Sequence, residues 1–229
     1  MHVNFFSMNL GCSGGNRFIF ELSNSLIERG YKVTITHAGL PEYCRWFNPI
    51  KAEIIQCGYS LFDRALIKFH LKQYSQNERL SRLRANIPPC DVNVATFCLT
   101  AKPTLDSKIG EKYYLVQHYE PDFFCEGDPN KRLAEESYKL PLKKLCVSDW
   151  LCKKVGGAYI GNGVNLDKFK LGKNKIPNSV MLIVRKNIAW KNPTLTIQIC
   201  DTLKSQGYPV FLVDGTLTEE ELIKTYQKS

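Results

Sequence analysis

No basic region followed by an apolar one opens this chain: Met1-His2-Val3-Asn4 runs straight into a mixed segment, which argues against a secretory leader there. No apolar run reaches the length that spans a bilayer. The expectation is a soluble, cytoplasmic protein whose closest approach to a membrane is peripheral contact with an anionic surface. Of the nine cysteines none stands in C-x-x-C spacing, the number is odd, and several lie in apolar strand-like runs. That excludes a disulfide frame and a zinc site, and the cysteines read as reduced core residues. No uninterrupted basic run, helix-turn-helix or zinc pattern accompanies the net charge of +9, so no nucleic-acid partner is expected. The excess charge suits nucleotide phosphates or another acidic partner; surface lysines spread for solubility would also produce it. Internal repeats and low-complexity tracts are absent too.

What is present begins with a turn, Leu10-Gly11-Cys12-Ser13-Gly14-Gly15-Asn16-Arg17, between the first strand-like and the first helix-like run. Its glycines allow a tight curl with φ > 0, and bare amides at a helix start attract anions. The spacing is neither G-x-G-x-x-G nor a loop ending in Gly-Lys-Ser/Thr. Two readings stand: a phosphate cradle at Gly14, Gly15 and Asn16, or glycines that only permit a tight connection.

Val3 to Met8 reads as a buried strand. After the turn Phe18, Leu22 and Leu26 recur at helical spacing until Gly30, and Tyr31 to Thr36 alternates as a second strand, giving a β-α-β unit. Ala52 to Cys57 is a third strand. Leu61 to Ile87 reads as one long helix with Leu61, Ala65, Leu66 and Phe69 on one face and Arg64, Lys68, Lys72, Arg79, Arg82 and Arg84 among them. A basic amphipathic helix either rests on anionic lipid or packs on a core with a solvated basic back. Pro88-Pro89 closes it. Strands follow at Asp91 to Phe97 and Lys112 to Gln117, a helix at Asn130 to Tyr138, a strand at Lys144 to Val147, a short helix capped by Ser148, and an extended Ala158 to Ile160. This alternation implies α/β architecture, a parallel sheet with helices on both faces, where ligands gather at the carboxyl ends of the strands.

A polar turn from Asn162 to Lys175 separates a second start of the same rhythm: strand Val180 to Val184, helix from Pro193, strand Val210 to Val213, helix from Glu219. The expected domains are therefore 1-171 and 172-229, the latter only the beginning of a Rossmann-like domain. At the end of one strand His118 sits with Tyr119 and Glu120, an imidazole and a carboxylate able to hydrogen-bond a hydroxyl or move a proton; a structural histidine is the plain alternative. Arg185 and Lys191 follow the first strand of the second segment, where two cations can neutralise a diphosphate, or can form an ordinary charged loop.

Taken in order, Gly11 to Gly30, Tyr114 to Glu120, Val147-Ser148-Asp149-Trp150, Ile160-Gly161-Asn162-Gly163-Val164-Asn165 and Arg185 with Lys191 resemble the GT-B glycosyltransferases of family 4. The segment Val116-Gln117-His118-Tyr119-Glu120 looks most like the rhamnosyltransferase-type branch. The resemblance implies two Rossmann-like domains, an acceptor-side one and a donor-side one, facing across a cleft. It implies a retaining, metal-independent transfer of a sugar from a nucleotide-sugar donor to a hydroxyl acceptor, a glycan or lipid-linked one, without a cofactor. On it, the glycine turn with Gly14, Gly15 and Asn16 lies against the donor phosphates or the acceptor, His118 and Glu120 touch the sugar or acceptor, and Arg185 and Lys191 hold the leaving diphosphate. His118, Arg185 and Lys191 would then be the catalytic residues. The glycine turn and the cation pair would share one pyrophosphate.

The pattern departs at one point. The family carries two glutamates eight positions apart in its second domain, and here no Glu is followed eight residues later by another. The expectation is accordingly a fragment or a naturally shortened protein, or a chain whose second domain is completed by a partner chain or a homo-oligomer. The alternative function is a non-catalytic relative acting as a binding or scaffold protein.

Overall fold

The computed structural model describes residues 1–39, 46–47, 49–57, 60–69, 74–186, 188 and 191–229. Contacts divide it into two units, Met1–Gly163 and Val164–Ser229.

The first unit is built on strands β1 (His2–Ser7), β2 (Lys32–His37), β3 (Glu53–Gln56), β4 (Val92–Ala95), β5 (Glu111–Val116), β6 (Lys143–Cys146) and β7 (Ala158–Tyr159). All pair in parallel in the order β3-β2-β1-β4-β5-β6-β7. This is the Rossmann-like α/β sheet that the alternation of elements implies. A parallel sheet is covered on both faces, so its strands are apolar on both sides. Val3, Phe5, Val33, Ile35 and Val94 join the main core, to which α1 (Gly14–Glu28) adds Ile19 and Phe20. Phe6, between Phe5 and Ser7 and so on the opposite face, packs with Ala38, Cys57 and Leu83 of α3 (Gln76–Ala85). Inside the sheet, the Asn4 side chain accepts from the Thr34 and Thr36 hydroxyls at 2.8 and 2.7 Å and donates to Asn93 at 3.3 Å.

α1 ends as its sequence demands. Gly30 adopts φ +84°, its amide reaching the Ile27 carbonyl at 2.9 Å.

The long helix expected over Leu61 to Ile87 is two helices, α2 (Leu61–Lys68) and α3. Ser75 begins α3 with a capping box to Glu78, a local signal that outweighs the continuity of charge along the segment. Phe69 is exposed instead of buried. Three of the arginines are engaged by the fold. Arg79 donates to the Ala38 and Met8 carbonyls at 3.0 and 2.9 Å, Arg82 pairs with Asp63 at 3.5 Å while lying over the Tyr74 ring, and Arg84 pairs with Asp106 at 3.4 Å. Lys72 lies outside the described residues. Among those described, no helix is long and apolar enough to cross a membrane.

One helix has no counterpart in the sequence reading: α4 (Cys98–Leu105), almost wholly buried and containing Pro103. With both faces covered it shows no amphipathic stripe. Thr100 stands in for a side-chain cap, its hydroxyl accepting from the Thr96 and Phe97 amides at 3.0 and 3.1 Å. After β5 come a 3-10 turn (Glu120–Phe123), α5 (Pro129–Ser137) and α6 (Asp149–Val155), the last capped by Ser148 as its sequence suggests.

In the second unit β8 (Val180–Ile183) pairs in parallel with β9 (Val210–Val213), alongside α7 (Pro193–Ser205) and α8 (Glu219–Lys228). The segment leading into it packs along α8: Phe169 meets Tyr226 edge to face at 6.2 Å and Lys168 pairs with Glu219 at 3.6 Å.

Candidate functional site

Strand order reverses between β1 and β4, and in open parallel sheets the crevice at such a reversal, outside the carboxyl ends, is where ligands bind. The glycine turn leaves β1 at this point, and β5 ends beside it.

The turn is held by its own polar side chains. Ser7 donates to the Asn9 carbonyl at 2.7 Å, the Gly11 amide to Asn9 Oδ1 at 2.9 Å, and Asn16 Nδ2 to the Gly11 carbonyl at 2.7 Å. Ser13 caps α1 by accepting from the Asn16 amide at 3.1 Å. Asn16, expected among the phosphate-binding groups, is engaged within the turn through both side chain and amide and braces it. Among the described residues no acceptor takes the Gly14 and Gly15 amides, so the first free donors of α1 are these two.

The glycines do not adopt the φ > 0 expected of them, and the tightest approach is at Gly11. None of Gly11, Gly14 and Gly15 has a positive φ. A Cβ on Gly11 would lie 3.0 Å from Asn9 Oδ1, and one on Gly15 would lie 3.4 Å from Gln117 Oε1. The structure therefore brings the start of α1 and the end of β5 together through Gln117. The sequence reading passed over Gln117 in favour of its neighbour; its position at a strand end beside His118 was the available signal.

His118 is half-buried, its ring stacked on Phe123 with centroids 4.7 Å apart. Its Nδ1 lies 3.0 Å from the Tyr119 carbonyl. A carbonyl only accepts, so Nδ1 is the donor of this contact.

Glu120 turns the other way. It is 2 % exposed, and its carboxylate accepts from the Cys98 amide at 2.5 Å, capping α4 from across the unit. Burial pushes its carboxyl up to about 7. The expected sugar or acceptor contact by Glu120 is corrected accordingly, because a side chain closed off behind the turn meets no ligand. It anchors the turn that carries His118.

In the second unit β8 is followed by Val184, fully buried, whose amide donates to the Val213 carbonyl at 2.8 Å. Arg185 follows, exposed, with its guanidinium against Gly215, which has φ +94°. The Ile188 amide then reaches the Arg185 carbonyl at 3.1 Å and the Lys191 amide the Ile188 carbonyl at 3.0 Å. Arg185 and Lys191 so occupy successive turns of one junction between β8 and α7. Asn192, left-handed at φ 47°, caps α7 through the Leu195 amide at 3.2 Å. Asn187, Ala189 and Trp190 lie outside the described residues.

Among the described residues no group of three or more His, Cys, Asp and Glu is placed to hold a metal ion.

Neither protein-family models nor curated proteins match the sequence. Solved structures do match the fold. One is an alpha-glucosyltransferase in complex with UDP and a 13-mer DNA containing a central A:G mismatch, aligned over 99% of this chain and 70% of that one, with TM-score 0.59 and 12% identity. Another is a sucrose-phosphate synthase from Thermosynechococcus elongatus, over 99% of this chain and 73% of that one, with TM-score 0.59 and 10% identity. At these identities the likeness shows the fold.

Proposed function

We propose that this chain is a glycosyltransferase of the GT-B type, moving a sugar from a nucleotide-sugar donor to a hydroxyl acceptor. The observation that carries this reading is the junction at the strand reversal, where the Gln117 side chain, one residue before His118, reaches Gly15 at the open-amide start of α1 at the carboxyl ends of a parallel sheet. The neighbours share this fold, and one of them is bound to UDP. The motif order favours family 4 and its rhamnosyltransferase-like branch, and with them retention of anomeric configuration and no metal requirement.

In this reading the α1 amides donate to an anionic or hydroxyl oxygen, aided by the helix dipole. The His118 ring meets a hydroxyl of the transferred sugar or of a glycan or lipid-linked acceptor. The bond from the anomeric carbon to the diphosphate oxygen breaks as the bond to the acceptor oxygen forms, the acceptor proton leaving with a base or with the diphosphate itself. Arg185 and Lys191 stabilise the charge on the departing diphosphate. Each charge-assisted contact is worth about 1.5–3 kcal/mol, so Arg185→Ala and Lys191→Ala should each weaken UDP binding roughly 10- to 100-fold in calorimetry. Wild-type affinity in both variants would remove the diphosphate from this junction.

A second reading, a non-catalytic binding or scaffold protein completed by a partner, is favoured by one observation. β8 and β9 expose Ile183 at 46 % and Leu212 at 41 %, unusual in a parallel pair. UDP bound by the chain without turnover of UDP-sugars would select it.

A further inference from the structure

We infer that Tyr138 is a positioning residue for His118, closing the turn that carries the imidazole; this rests on the reading that His118 meets the sugar or the acceptor. Tyr138 follows the last turn of α5 and is 8 % exposed. Its hydroxyl donates to the His118 carbonyl at 3.0 Å and accepts from the Glu120 amide at 2.9 Å. One oxygen thus bridges both ends of the three-residue turn His118-Tyr119-Glu120. The ring is fixed by stacking against Tyr114 at 5.6 Å and Tyr119 at 5.8 Å between centroids. The carboxylate of Glu120 ties the same turn to α4.

Holding the two ends fixes the direction of the Tyr119 carbonyl between them, and that carbonyl is the acceptor of His118 Nδ1. The chain of contacts therefore runs from the Tyr138 hydroxyl through the turn to the tautomer of His118. A tyrosine needed only to fill the core would bring the same ring without directing both hydrogen-bonding capacities of its hydroxyl at one turn.

The test is the imidazole nitrogen spectrum of 15N-labelled protein, with His118→Ala assigning the resonances. Wild type should show widely separated Nδ1 and Nε2 shifts for His118, the mark of one fixed tautomer. Tyr138→Phe keeps the ring and should draw those shifts together, while Tyr113→Phe, which removes a hydroxyl that donates to Glu111 at 3.0 Å, should leave them apart. Unchanged His118 shifts in Tyr138→Phe, or equal averaging in Tyr113→Phe, would overturn the inference. Wild-type protein supplies a check that no folding failure can obscure: the Glu120 amide should exchange only on large-scale opening, and fast exchange would also overturn the clamp. Adding UDP-glucose separates the two claims, because His118 shifts that ignore it would count against the sugar contact while leaving the clamp standing.

Discussion

Two buried titratable side chains in the first unit pull its stability in opposite directions with pH. Glu120 has its carboxyl raised by burial from 4.5 to about 7. The folded chain therefore holds this proton more tightly than the unfolded one, so the stability it lends is complete below pH 4.5 and is lost as pH rises through 7. His37, with Nδ1 unpartnered and the Arg79 guanidinium near, is lowered by burial and then by that charge from 6.5 to about 4. Its contribution is complete above pH 6.5 and is lost as pH falls through 4. Each swing is worth about 3 kcal/mol, so over the shared window they largely cancel. Glu120→Gln removes one of them. Its urea midpoint should fall between pH 6.5 and 4.5 by the equivalent of about 3 kcal/mol, where wild type stays nearly level; a level profile in the variant would show that Glu120 does not titrate as described. None of this could be read along the chain, because the partners of Glu120 and of Tyr138 stand 22 and 20 residues away in sequence. His118 stood out because it closes a strand, and the bonds that Asn16 makes within the glycine turn show only once the turn is folded.

At the scale of elements, what was legible was whatever carries a local period or a local stop. α1 announced itself by Phe18, Leu22 and Leu26 and by Gly30, and the strands by short apolar runs between polar turns. α4 was hidden because burial on all sides erases the stripe that marks a helix, and the break between α2 and α3 because continuous basic charge concealed the capping box at Ser75. Glycines separate by the same test. At Gly110, φ is +76° and a Cβ would lie 2.7 Å from the Cys90 carbonyl oxygen, whereas a Cβ on Gly14 would meet nothing within 4 Å. Gly110→Ala should therefore destabilise the protein by about 2–4 kcal/mol and Gly14→Ala by no more than about 0.5 kcal/mol. Equal melting temperatures for the two would mean that the approach of β5 to the loop before β4 is loose.

For the whole molecule, the first unit is a parallel sheet whose strand order reverses beside a turn with open amides. The second sets two cations at one strand-to-helix junction. The alternation of strands and helices made that architecture readable; the chemistry was readable only as an ordered set of motifs, since no single one is decisive. Hydrogen exchange across the chain with and without saturating UDP-glucose tests the central claim, that each of these carboxyl-end junctions contacts a nucleotide sugar, most directly. The account predicts slower exchange at the amides of Gly14 and Gly15 and in the turn from Gln117 to Glu120, and slower exchange as well in the junction from Arg185 to Lys191. Unchanged exchange in all three segments, with the nucleotide sugar shown to be bound elsewhere or not at all, would contradict it.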